Sequence, residues 1–162
     1  MDEKDNHENR ENNEKPAGKD ADRNKGDRNN KDRQTFDWVT RRSACSLPAV
    51  FKELRSQVEQ DVNTRNGLRP SYAPYEFSIA DHDGGFHVFL KSKDTDKDVQ
   101  LSVAFILSEH AIQVRDDKSL RMFDVTLSFN EIGECKLKVE GADREFWQVR
   151  RMALEELMFR GL

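Results

Sequence analysis

The sequence is poor in cysteine and has no long apolar run. Its 162 residues include two cysteines, Cys45 and Cys135, which are too few for a disulfide framework or a four-thiolate zinc site. No stretch approaches the roughly 20 apolar residues that a membrane-spanning helix needs, and the N-terminus lacks the apolar segment of a secretory signal. These absences predict a cytoplasmic protein without a membrane span.

Clustered positive charge is also missing. The formal net charge is −4 and the pI is about 5.6, and basic residues stand beside acidic ones in the N-terminal part of the chain. Because phosphate binding relies on clustered lysine and arginine, nucleic acid is not expected as a partner.

Apolar side chains are almost absent from residues 1–34, where they are limited to Met1, Ala17 and Ala21. Such a stretch cannot bury enough surface to offset the entropy that it would lose on ordering. We therefore predict a disordered polyampholyte tail over residues 1–34 and a single folded domain over residues 35–162.

The folded part begins with a strong helical pattern. Its apolar residues recur at the three-and-four spacing of one buried stripe, which consists of Leu47, Val50, Phe51, Leu54, Val58 and Val62. Ser46 is placed to cap the start of this helix, and Asn66 with Gly67 to end it. After Asp143 a last helix is predicted, and its apolar residues are so numerous that most of them are expected to be buried.

Between the two helices the apolar residues recur at every second position. The pattern from Tyr75 to Val139 predicts six strands, and the short loops between them favour an antiparallel meander. A two-residue turn at positions 83–84 would pair Ile79 with Val88 and keep both on one face.

The predicted fold class is α+β: an N-terminal helix, a six-stranded antiparallel meander sheet and a C-terminal helix, with both helices on one face. Cys135 falls on the inward side of the sixth strand and is expected to be a small core residue. Arg150 lies within the apolar arc of the last helix, and we hypothesise that it pairs with Asp61 of the first. The element order resembles pleckstrin-like folds and some small secretion chaperones. It lacks the seventh strand of the former and the mid-chain helix of the latter, so no family is assigned.

Polar residues gather in the turns along one edge of the predicted sheet. Asp81 and His82 precede the first turn and His110 lies in a later turn, which makes these three the candidate metal ligands. Neighbouring hairpin turns are about 9–10 Å apart, whereas zinc ligands lie within about 2.2 Å of the ion. The sequence therefore favours ordinary polar turns, and neither a metal nor another cofactor is predicted.

Catalytic motifs are missing as well. Cys45 lies near Arg41 and Arg42, but no histidine is near it in the sequence to act as a base. Gly84 and Gly85 precede a strand rather than a helix, so they do not form a phosphate-binding loop. No catalytic residue is assigned, and an enzyme is disfavoured.

Three apolar residues interrupt the polar face that the predicted sheet turns away from its helices: Phe89, Ala104 and Ile106. Together with His87 they predict an interaction surface, because solvent-facing strands ordinarily carry more charge. The leading hypothesis is a non-enzymatic protein-interaction or adaptor domain. It would use this open face to bind an unknown protein partner or a second copy of the chain.

Two other functions stay open. A small-ligand or lipid-binding module would have a pocket between helix and sheet, lined by Phe105, Phe123, Phe146 and Met152. A metal-dependent enzyme would use the rim of Asp81, His82 and His110.

Overall fold

The structure is a computed structural model that describes residues 36–93 and 98–159, with the backbone alone for residues 98–100. The predicted tail, residues 1–34, lies outside the described residues, so its boundary with the domain stays a prediction. The described residues form the helices α1 (Trp38–Ala44), α2 (Leu47–Gly67) and α3 (Phe146–Phe159). They also form the strands β1 (Tyr75–His82), β2 (Gly85–Ser92), β3 (Asp98–Leu107), β4 (Ile112–Arg115), β5 (Arg121–Phe129), β6 (Cys135–Val139) and β7 (Ala142–Arg144).

The strands form one antiparallel sheet in which each strand pairs with the next along the chain, from β1 to β7. The predicted α+β fold, an antiparallel meander between two helices, is confirmed, and α1 and β7 are added to it. β7 follows β6 through a two-residue turn at Glu140 and Gly141, whose φ angles of 53° and 80° suit a tight hairpin. A strand of three residues is too short to show a period of two in the sequence.

The first hairpin has the predicted register. Ile79 pairs with Val88, across a turn in which Gly84 has a φ of 77°. That angle lies in the left-handed region, which favours glycine. Because the register decides which side chains share a face, it places Phe77 and Val88 in the core and the alternate residues of each strand, such as Ser78 and His87, on the opposite face.

Both long helices pack on one face of the sheet, and the hydrophobic core lies between the two layers. α2 buries four residues of the predicted stripe: Val50, Leu54, Val58 and Val62. From the sheet, Phe86 and Phe105 enter the core with their rings stacked 4.8 Å apart. α3 is less buried than predicted, since Trp147 and Met152 lie on its solvent side.

The hypothesised ion pair between α3 and α2 is present. Arg150 Nη1 lies 3.2 Å from Asp61 Oδ2, and it also donates a hydrogen bond to the carbonyl oxygen of Gln57 at 3.1 Å. Burial raises the pKa of Asp61, and the positive charge of Arg150 opposes that rise. The pair therefore links the two helices at the outer surface of their layer.

The expectation that Cys135 is a core residue is wrong. Cys135 is exposed at the first position of β6, and it forms a disulfide with the buried Cys45, which lies between α1 and α2. The two residues are 90 positions apart in the chain, so a local pattern could not indicate that they meet.

The disulfide also bears on location. Disulfides persist mainly in oxidising compartments, which weighs against the predicted cytoplasmic location, and that location stays a prediction. No helix within residues 36–93 and 98–159 is long and apolar enough to cross a membrane.

Candidate interaction surface

The sheet alternation brings the four residues of the predicted interaction surface together. On β2, His87 and Phe89 lie between buried positions. On β3, Ala104 does the same, and Ile106 lies between the buried Phe105 and the partly buried Leu107. His87 pairs directly with Ala104, and Ile106 lies opposite Gly85. The ring centroids of His87 and Phe89 are 4.9 Å apart. We call His87, Phe89, Ala104 and Ile106 the open-face cluster; all four are partly buried.

His82 extends this cluster at the end of β1. Its ring centroid lies 5.8 Å from that of His87, so the rings of His82, His87 and Phe89 follow one another across the hairpin. His82 Nδ1 lies 3.1 Å from the carbonyl oxygen of Asp83, which ties its ring to the turn. His82 therefore belongs to the surface of the open face.

Gly85 sets the close approach of β2 to β3 beside the cluster. A Cβ atom at this position would lie 2.2 Å from the carbonyl oxygen of Phe105 and 2.9 Å from Cε1 of His82. Both distances are shorter than any ordinary contact between non-bonded atoms. The absence of a side chain is therefore what allows the strands and the His82 ring to pack at this point.

The three candidate metal ligands are not brought together. Asp81 receives hydrogen bonds from the guanidinium group of Arg55, whose Nε lies 3.0 Å from Asp81 Oδ1. This hydrogen bonding holds the pKa of Asp81 below its usual value. His110 is exposed, with Nε2 3.8 Å from the carboxylate of Glu109. In the described part of the chain, no group of three or more histidine, cysteine or acidic side chains is placed to hold a metal.

The four residues predicted to line a ligand pocket do not surround a common space. Phe105 and Phe123 are buried in the core between helices and sheet. Met152 is exposed instead, in a surface depression formed with other residues of α3 such as Trp147 and Gln148.

A polar flank borders the open-face cluster on β4 and β5. Arg115 lies beside Ala104 in the sheet, and its guanidinium group donates a hydrogen bond to Gln113 Oε1 at 2.8 Å. Arg115 Nε and Asp124 Oδ1 are shielded from solvent, yet they have no hydrogen-bond partner among the described residues. Buried polar atoms without a hydrogen-bond partner are rare in folded proteins, and a sequence pattern does not reveal them.

The outer edge of β1 is protected by a side chain. The carboxamide of Asn66, in the last turn of α2, donates to the carbonyl oxygen of Phe77 at 2.8 Å and accepts from its N–H at 2.9 Å. A neighbouring strand would make the same pair of bonds with Phe77. Asn66 therefore occupies part of the edge at which another chain could otherwise extend the sheet.

Asn66→Ala is expected to lower the free energy of unfolding by about 1–2 kcal/mol, because two hydrogen bonds to β1 are lost. Urea denaturation measures the change. Asn63→Ala is the matched control, since Asn63 is an exposed residue of the same helix and is expected to change the stability little. Equal losses in both variants would show that the bonds to Phe77 are not the cause.

Comparison of the chain with protein-family models, with curated proteins and with solved structures finds no match. The likeness to pleckstrin-like folds is therefore one of element order alone, and function is argued from the residues of the chain.

Proposed function

We propose that the domain is a non-enzymatic protein-interaction or adaptor domain whose open-face cluster contacts another polypeptide. The observation that supports this proposal most directly is that His87, Phe89, Ala104 and Ile106 are contiguous on the sheet face that α2 and α3 leave uncovered. An apolar centre with a polar border is the usual anatomy of a protein interface. Here the border is the flank of Arg115, Gln113 and Asp124.

The two edges of the sheet support a contact through its face. At one edge, Asn66 already satisfies the backbone of Phe77 on β1. At the other edge, β7 has only three residues and offers a partner strand few backbone groups. A partner that extended the sheet would find Phe77 already paired at one edge and a strand of three residues at the other, whereas the face offers both apolar and polar side chains.

A homodimer through the open face is tested with Ile106→Glu. We expect wild type to form a dimer in size-exclusion chromatography with light scattering, and Ile106→Glu to weaken it at least tenfold, because a buried charge would lie at the apolar centre. Thr126→Glu is the matched control, since Thr126 is an exposed residue on β5 and lies outside the cluster. A monomeric wild type would exclude the homodimer version.

A different protein partner is tested by affinity capture from the native host. The proposal predicts proteins that wild type and Thr126→Glu recover and that the double variant Phe89→Ala, Ile106→Glu does not. If the double variant recovers the same proteins as wild type, the open-face cluster is not the binding surface.

A further inference from the structure

α2 and α3 enclose a groove on the outer side of the helical layer. It has a volume of about 390 Å³, and we call it the helix groove. Leu68, which directly follows α2, is 74% exposed at the groove, and Trp147 and Phe159 of α3 are 54% and 65% exposed. Leu154 and Met158, both buried, also line it. A cluster of exposed large apolar side chains of this kind marks an interaction site, and tryptophan is enriched where binding energy is concentrated.

The charges of the helix groove are unequal. Arg150 is paired with Asp61, and Arg151 with Glu155 at 3.0 Å. The third arginine, Arg65, donates from Nε to the backbone carbonyl oxygen of Met158 at 3.1 Å and stacks its guanidinium 4.8 Å above the centroid of the Phe159 ring. Neither contact neutralises its charge. The groove therefore has three arginines and two carboxylates among its described lining residues.

Arg150, although paired with Asp61, also has one unsatisfied polar atom. Its Nε is shielded from solvent and has no hydrogen-bond partner in the described part of the chain. The unneutralised charge of Arg65 favours an occupant that carries negative charge, because a carboxylate is the natural partner of a guanidinium group.

We propose that the helix groove binds an amphipathic helix of a partner protein, with its apolar stripe against Leu68, Trp147 and Phe159 and its carboxylates beside Arg65. A helix placed in a hydrophobic groove is a recurrent mode of recognition, with apolar anchors at the three-and-four spacing. The helix groove lies on the outer side of the helices, whereas the open-face cluster lies on the opposite side of the sheet. The proposal therefore goes beyond the open face and gives the adaptor two separate binding surfaces.

Other occupants fit the groove less well. A small amphiphile would stay largely in water between side chains that are themselves more than half exposed, whereas ligand pockets usually bury most of their ligand. The N-terminal segment of this chain cannot supply an apolar stripe, because Met1, Ala17 and Ala21 are its apolar residues over positions 1–34.

The test uses two synthetic helical peptides of about 18 residues, or five turns. Both carry the same leucine stripe, and the residues beside the stripe are glutamate in one and lysine in the other. The protein is the full chain with Trp38→Phe, which leaves Trp147 as the sole tryptophan, so that its fluorescence reports occupation of the groove. We expect the glutamate peptide to bind at least tenfold more tightly than the lysine peptide, a difference typical of one well-placed charge pair.

Variants of the groove identify the residues responsible. Arg65→Gln is expected to remove the preference for the glutamate peptide, and Arg65→Lys to keep most of it. Leu68→Ser is expected to weaken the binding of both peptides about tenfold, because an apolar contact is lost. Leu120→Ser is the matched control, because Leu120 is 61% exposed and does not belong to the groove lining described above.

Three results would overturn the proposal. The first is equal binding of the two peptides, and the second is a Leu68→Ser variant that binds like wild type. The third is binding of dodecanoate with the same dependence on Arg65 while neither peptide binds. That result would indicate that the occupant of the groove is a small anionic amphiphile. The oligomeric state of Leu68→Ser is expected to equal that of wild type whichever proposal fails. Measuring it keeps this test of the helix groove separate from the test of the open-face cluster.

Discussion

Replacing both cysteines with serine is expected to lower the free energy of unfolding by about 4 kcal/mol, because the disulfide restricts the unfolded chain. Cys45 and Cys135 close a loop with a sequence separation of 90 residues. The stabilisation by loop-closure entropy grows with loop length, and for a loop this long it lies near the upper end of its range. Measured losses for single native disulfides are about 2–5 kcal/mol.

The disulfide also holds the start of the helical layer to the sheet. Cys45 Sγ lies 3.8 Å from the carbonyl oxygen of Ser128 on β5, and Arg42 of α1 donates a hydrogen bond to the carbonyl oxygen of Cys45 at 2.9 Å. α1 itself has no buried residue. Loss of the disulfide is therefore expected to increase amide hydrogen exchange in α1 more than in α3.

Urea denaturation with and without a thiol reductant measures the effect. The reductant is expected to bring wild type down to the stability of the double variant Cys45→Ser, Cys135→Ser, and to leave that variant unchanged. If wild type keeps its full stability after a thiol assay shows both cysteines to be reduced, the disulfide does not stabilise the fold.

Gly85→Ala is expected to destabilise the domain by about 3 kcal/mol, the upper part of the range for overpacked sites. The new Cβ would lie 2.2 Å from the carbonyl oxygen of Phe105 and 3.2 Å from Cα of Ile106. Both are backbone atoms of β3, so the clash cannot be relieved by rotating a side chain. β2 and β3 would have to move apart, which disturbs the pairing on which the open-face cluster depends.

The neighbouring Gly84→Ala is the control for this result. Gly84 has a φ of 77°, but no described atom lies within 4 Å of its Cβ position. Alanine there costs only the left-handed backbone conformation, about 1 kcal/mol. Thermal or urea denaturation of the two variants compares them, and a larger loss for Gly84→Ala would mean that backbone conformation, and not close packing, governs this turn.

Much of the fold could be predicted because it follows local rules. The stripe that includes Val50, Leu54 and Val58 has the spacing of one helix face, and the two-residue turn at Gly84 sets the register that pairs Ile79 with Val88. With the register known, alternation alone assigns Phe89 and Ile106 to the open face.

Other features of the candidate sites could not be predicted. Asn66 looked only like the end of a helix, but its carboxamide satisfies the backbone of Phe77 on β1. Trp147 looked like a core residue, because α3 is apolar over most of its circumference, and the packing of α3 against the sheet left it exposed. The pairing of Asp81 with Arg55 likewise depends on where α2 lies over β1.

The sequence by itself determined the two periodicities, the tight first turn and the side of the sheet on which each strand residue lies, because these depend on neighbours a few positions apart. Only the tertiary structure decided that Cys45 meets Cys135, that Gly85 must lack a side chain and that α2 and α3 enclose a groove. Each of these depends on how the helices and strands pack against one another. That packing brings together residues far apart in the chain, and no local pattern specifies their distance or their orientation.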